Sequence, residues 1–224
     1  MNPLSVLRDS FIFFSRNLQG IAPLCLPLIA LECLLRAVVA GLVPPEHSPT
    51  YELLVGLAIY PLYSAALILF LDVRSQGRRP RLRNLLAASV LQWPSFAVLA
   101  GLSTLLIMLA AQAFVLPALW VMVKLAFAEY LLVLRGLTPL QAMRESFMLT
   151  ISHFWSLLAC VLLVIVPLWL LDDWTLQLLG EQPDAVGSLL LDILNGFLQL
   201  FSTVVLFRCF MLCTPQPAEQ SPSS

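Results

Sequence analysis

The sequence predicts an all-α, polytopic membrane protein with six transmembrane helices. Three observations carry that expectation. The 224 residues are 60% hydrophobic and 11% charged, with a mean hydropathy of +0.91, whereas a soluble domain holds about 25% charged residues. The apolar residues gather into six runs, each near the ~20 residues a helix needs to cross the hydrocarbon. Of the twelve Lys and Arg residues, all but Arg36 and Lys124 fall on one side when those runs are read as spans. The runs lack two-residue alternation. Backbone groups in lipid must be satisfied within the segment, so helices are expected rather than strands.

The elements follow in order. Residues 3–16 are expected to form an interfacial amphipathic helix. Asn2 can cap it and Pro3 suits its first position, and Leu4, Leu7, Phe11 and Phe14 share one face. Span one is placed at 18–43. It is far longer than the ~7–15-residue core of a signal peptide and has no A-x-A exit, so the N-terminus is expected to stay attached. Span two is placed at 51–71. Pro23 and Pro27 in span one, and Pro61 in span two, each remove an amide donor; the resulting kinks can leave a wedge between helices.

A second interfacial helix at 80–92 leads into span three at 93–115. Ala97, Ala100, Gly101 and Thr104 share a face there, which suits close approach of another helix. Span four is placed at 117–134. A third interfacial helix is expected at 138–152, where Thr138-Pro139-Leu140-Gln141 has capping-box spacing. Leu140, Met143, Phe147 and Ile151 form its apolar face. Such helices lie along the headgroups. Span five is placed at 154–173, closing on Asp172-Asp173 as a solvated helix end, with Pro167 inside it. Span six is placed at 187–211. Residues 1–213 make one membrane domain, and the Pro/Ser/Gln-rich tail 214–224 is expected to be disordered.

Arg and Lys in short loops set orientation. Arg8 and Arg16, the run Arg74 to Arg83, Arg135, Arg144 and Arg208 all fall on one side, predicted cytoplasmic together with both termini. The opposite loops carry Glu46, Glu52, Asp172, Asp173, Glu181 and Asp184 and no basic residue.

Arg8-Asp9-Ser10-Phe11-Ile12 reads like Arg144-Glu145-Ser146-Phe147-Met148, and Leu82-Arg83-Asn84-Leu85 is a weaker echo. The pattern suggests three repeats of an interfacial helix plus a helical hairpin. The alternative is that any Arg-Ser-Phe-rich surface helix would look alike.

Five ionisable residues lie within spans: Glu32 and Arg36 in span one, Lys124 and Glu129 in span four, Asp192 in span six. A charge at the centre of a bilayer helix costs ~2.5–3.5 kcal/mol even on the mild insertion scale, so these groups should face protein or water. Counting ~1.5 Å of rise per residue puts Arg36, Lys124, Asp192 and Asn195 in an outer layer. Glu32, Glu129 and Gln199 lie in a deeper one. Asp192, Asn195, Gln199 and Ser202 share one face of span six. Glu32 and Arg36 are an i, i+4 pair in the favourable order, and Asp192 is the expected neighbour of Lys124. The cluster admits three readings: polar glue fixing helix register, a pocket where Arg36 and Lys124 meet an anionic headgroup, or a proton path through Glu32 and Glu129.

Arg74, Arg78, Arg79, Arg81 and Arg83 form a cluster of the kind that binds anionic lipid headgroups, or that simply fixes topology. The five cysteines, Cys25, Cys33, Cys160, Cys209 and Cys213, lie in apolar segments and read as small buried hydrophobes. No metal site, cofactor or nucleic-acid partner is expected. Walker, G-x-S-x-G, H-E-x-x-H and dinucleotide motifs are all missing from the sequence.

Arg144-Glu145-Ser146 with Leu149-Thr150, placed after a span opening Leu116-Pro117-Ala118, resembles the YciC-type bacterial inner-membrane proteins. The closing Phe207-Arg208-Cys209-Phe210-Met211-Leu212 is similar to the end of that family, and Phe14 to Asn17 to its beginning. Pro117-Ala118 departs from the more usual Pro-Gly. A similar pattern of proline, span and arginine helix occurs in membrane domains of some glycerophosphodiester phosphodiesterases. The resemblance implies a Gram-negative inner membrane and six spans, and it brings no catalytic residues.

The expected role is non-enzymatic: a lipid-associated membrane protein supporting membrane or envelope homeostasis. One alternative is a small transporter or lipid translocator using the intramembrane polar pocket. Another is an assembly partner, acting on a membrane protein or on a second copy of itself.

Overall fold

The computed structural model describes residues 3–44, 47–78, 80–179 and 185–214. The regular elements among them are α-helices: α1 (Pro3–Leu42), α2 (Ser48–Ser75), α3 (Leu82–Ala113), α4 (Val115–Leu125), α5 (Ala128–Arg135), α6 (Pro139–Leu149), α7 (Phe154–Leu179) and α8 (Ala185–Cys213). Six stretches are long and apolar enough to cross a membrane: α1, α2, α3, α4 with α5, α7 and α8. The protein is thus a multi-pass membrane protein with the six spans expected. Glu46, Arg79, Glu181, Asp184 and residues 215–224 lie outside the described residues, as does the side chain of Asp172.

The helices pack as successive hairpins, α1 on α2, α3 on α4 and α7 on α8, and α1 closes the bundle against α8. One end of the bundle carries the arginines (the basic end); the other carries Glu52 and Asp173 (the acidic end). Side-chain bonds link helices at the basic end. Arg74 Nε donates to Asn17 Oδ1 at 2.6 Å, joining α2 to α1, and Arg208 lies 3.7 Å from Asp9, joining α8 to α1. Phe14 meets Phe197 and Phe201 at 5.8 Å between ring centroids.

Two expected interfacial helices are not separate elements. Residues 3–16 are the first turns of the 40-residue α1, and 82–92 are the first turns of α3. In α1 the reason is a single buried stripe. Val6, Ser10, Phe14, Asn17 and Ile21 are buried at helical spacing, and the stripe runs on through Cys25 and Ile29 to Glu32. Breaking the helix near residue 17 would take its first half off α8. The face expected to be apolar is instead divided, since Leu4 and Phe11 are exposed while Phe14 is buried.

The third does stand apart as α6. Gln141 Oε1 accepts the Thr138 N–H at 3.4 Å, closing the capping box at its start. Gly136, in the left-handed region at φ 64°, ends α5 just before it, as glycine after a helix commonly does. Inward, α6 buries Ala142, Met143 and Ser146, while Leu140 and Ile151 are exposed. An Arg135–Glu145 pair at 3.3 Å spans the α5–α6 hairpin. Beyond it, α7 continues to Leu179, so Asp172 and Asp173 lie within a helix and not at its end.

Span four is one run in sequence but two helices in space. At the break, the Ser146 hydroxyl donates to the Lys124 carbonyl at 2.7 Å and accepts the Phe127 N–H at 3.1 Å. A side chain inserted into the backbone ladder is a known cause of helix interruption. Ser146 is fully buried. Its hydroxyl, able to donate and to accept, satisfies two groups that the break would otherwise orphan.

Cys25, Cys160 and Cys209 are buried, and Cys33 and Cys213 are half-buried.

Candidate functional site

The interior holds a cavity of about 800 Å³ between α1, α2, α3, α5 and α8. Six of the seven intramembrane polar residues expected from sequence line it: Glu32, Arg36, Glu129, Asp192, Asn195 and Gln199. Lys124 does not. It is buried on the other side of span four, with its Nζ 5.4 Å from the Phe154 ring centroid and 5.9 Å from that of Trp120. Cation–π contact of this kind holds an ammonium without a carboxylate, and none pairs with Lys124 among the described residues. The expected Lys124–Asp192 neighbourhood is therefore replaced by an aromatic seat against α7. Depth counting gives the level of a residue along a helix but not the direction in which it points.

Arg36 and Glu32 form the expected ion pair along α1. Glu32 is buried, while the Arg36 side chain is 46% exposed, so the pair runs from the protein interior to the cavity mouth. Its seat is Gly56 on α2. A Cβ at that position would lie 2.6 Å from Arg36 Nη2 and 3.4 Å from Glu32 Oε1. Glycine leaves that space to the guanidinium.

Deeper in, Glu129 occupies the first turn of α5, just past the break in span four. Tyr60 donates to its carboxyl, with the hydroxyl 2.8 Å from Oε1 and 2.9 Å from Oε2. Ser64 donates to Oε2 at 3.2 Å. No basic side chain pairs with Glu129 among the described residues. On α8, Asn195 donates to Thr175 Oγ1 at 3.2 Å, which fixes α8 to α7.

Among the lining residues that the sequence reading had not placed in the site are Glu52, Tyr60, Tyr63 and Ser64. Glu52, Gly56, Tyr60 and Tyr63 recur at helical spacing on α2, a polar stripe in an apolar helix. That periodicity was the available signal. The small face of span three also has another use than expected. Ala100 and Thr104 line the cavity with Ser103, and a Cβ at Gly101 would meet nothing within 4 Å.

The charge of the lining is decisive for its chemistry. Among the described residues, Glu32, Glu52, Glu129 and Asp192 supply four carboxyl groups to the lining against the one guanidinium of Arg36. That guanidinium is already paired. Among the described residues, no group of three or more His, Cys, Asp and Glu side chains is placed to hold a metal ion.

At the basic end, Arg78, Arg81 and Arg83 are exposed. Arg74 is half-buried and held by Asn17, so it is a helix tie within the expected headgroup cluster. Arg79 lies outside the described residues.

No family model matches this chain, and no solved structure matches it.

Proposed function

We propose that this protein is a small, non-enzymatic membrane transporter whose interior cavity admits a cationic solute. One observation carries the reading: four carboxyl side chains face a cavity of about 800 Å³, opposed by one already-paired arginine. Ionisable groups within membrane helices mark substrate and ion pathways, and pockets of roughly 300–1,000 Å³ hold small organic molecules. An anionic headgroup would meet repulsion here, and Lys124, the second cation expected to receive it, faces away. The arginine distribution supports a cytoplasmic basic end, and the resemblance to YciC-type proteins supports a bacterial inner membrane.

The test is tracer uptake into liposomes carrying the reconstituted full chain. Uptake of guanidinium, tetramethylammonium and potassium is compared with uptake of phosphate and chloride. Uptake of at least one cation and of neither anion is expected. Anion uptake alone, or no uptake of any ion, would overturn the reading.

A second reading has its own observation. The exposed Arg78, Arg81 and Arg83 favour an anionic-lipid contact at the basic end, which suits a lipid-associated role in membrane homeostasis. The two readings concern opposite ends of the bundle and are separately testable.

A further inference from the structure

Glu129 belongs to two cavities at once. The larger one runs from it toward Arg36 and Glu52. A second, of about 190 Å³, runs from it between α4, α7 and α8, where Met122, Leu125, Val161 and Val164 make the walls largely apolar. Tyr60, Ser103, Ser202 and Thr203 border both cavities along with Glu129. The carboxyl thus stands on the partition between a polar vestibule and an apolar chamber, at the break in span four.

The groups around it limit what it can do. On α2, Tyr60 and Ser64 give it neutral hydrogen bonds, and Tyr63 and Glu52 lie further along the same face. From α1 come Glu32, Cys33 and Arg36, and from α8 comes Asp192. The second cavity adds Cys160 of α7 and Tyr130 of α5 itself. Arg36 is the one permanent cation in this set, and it is bound to Glu32. Glu129 is half-buried at the cavity wall, and a carboxylate partly withdrawn from water favours a compensating charge. Glu129 has two ways to meet that need: it takes a proton, or it holds a cation from the cavity.

We propose that Glu129 carries a proton and the transported cation in alternation, so that transport is an exchange of one for the other. This rests on the cation-transport reading above. When the cation leaves, an O–H bond forms at one Glu129 oxygen with a proton from cavity water. When the next cation enters, that bond breaks and the proton returns to water. Tyr60 serves both states, because its hydroxyl donates to the carboxylate and accepts from the carboxylic acid.

The experiment uses the full chain in liposomes with a trapped pH dye and radiolabelled guanidinium as the probe. With the interior acidic, wild-type protein should take up guanidinium faster than without a gradient, and protons should leave as it enters. Glu129→Gln should lose the gradient dependence and lower uptake on the order of tenfold or more, the scale of losing one partner of a buried charge pair. Glu145→Gln, at the basic end and outside both cavities, should keep uptake and its gradient dependence. Carbodiimide labelling of wild-type Glu129, mapped by mass spectrometry, should be suppressed by guanidinium. That measurement stands even if Glu129→Gln fails to fold. Guanidinium uptake indifferent to the gradient, or labelling of Glu129 indifferent to guanidinium, would overturn the exchange while leaving transport in place. No cation uptake under any condition would overturn both.

Discussion

The Tyr60 hydroxyl straddles the Glu129 carboxyl, 2.8 Å from one oxygen and 2.9 Å from the other. Together with the Ser64 hydrogen bond, it ties α2 to the far half of span four. Tyr60→Phe would leave Ser64 as the remaining hydrogen-bond donor to Glu129. Leaving a buried polar group short of a partner costs about 1–3 kcal/mol, and the half-buried Glu129 should fall at the low end of that range. The melting temperature of the purified protein should fall accordingly. In a double-mutant cycle with Glu129→Gln, the two losses should not add. A coupling within error of zero would mean that the bond contributes nothing to the fold.

Ser146→Ala tests the break in span four. The Phe127 N–H and Lys124 carbonyl would both lose their partner. A stability loss of about 1–3 kcal/mol is expected, with the fastest gain in amide exchange at Phe127. Unchanged exchange at that amide would show that the hydroxyl does not hold the break.

Two glycines give opposite expectations. At Gly20 a Cβ would lie 2.6 Å from the ring Cζ of Phe70, and Phe70 is buried and cannot swing away. Gly20→Ala should cost about 1–3 kcal/mol as overpacking. At Gly101 the space is open, so Gly101→Ala should stabilise by about 0.5–1 kcal/mol through helix propensity. Thermal unfolding in the same detergent reads both. Equal shifts would mean that the α1–α2 contact is looser than drawn.

The arginine cluster divides in the same manner. Replacing Arg78, Arg81 and Arg83 together with Gln should reduce the anionic lipid retained in mixed phosphatidylglycerol and phosphatidylethanolamine nanodiscs. Each arginine near the surface contributes about 1 kcal/mol. Arg74→Gln should leave the retained lipid unchanged and lower stability, because its partner is Asn17. Loss of lipid with Arg74→Gln alone would reverse that assignment.

Much of the fold was legible because immersion in lipid demands long apolar runs, and these are visible one residue at a time. The clustering of Glu32, Arg36, Glu129 and Asp192 was legible for a related reason: each is too costly to face lipid. Lys124 was misplaced because burial can be reached by more than one route. Trp120, one turn earlier on α4, and Phe154 on α7 give the ammonium a cation–π seat in place of a carboxylate, and the i, i+4 spacing of Trp120 and Lys124 was the local signal for it. The continuity of α1 was missed because its buried stripe is mixed, with Ser10 and Asn17 among the apolar positions. The break in span four depends on Ser146, which is remote in sequence from the helix it interrupts.

That remoteness bears on how the chain is made. The α4 helix has 11 residues, or ~16 Å of rise, roughly half the hydrocarbon thickness. The hydroxyl that closes the rung beyond it lies nineteen residues past Phe127. Until Ser146 has been synthesised, the Phe127 N–H and the Lys124 carbonyl lack that partner. They can gain it only once α6 has folded back upon span four. The α5–α6 hairpin is in this sense a delayed latch, which links the order of translation to the order of assembly in the bilayer.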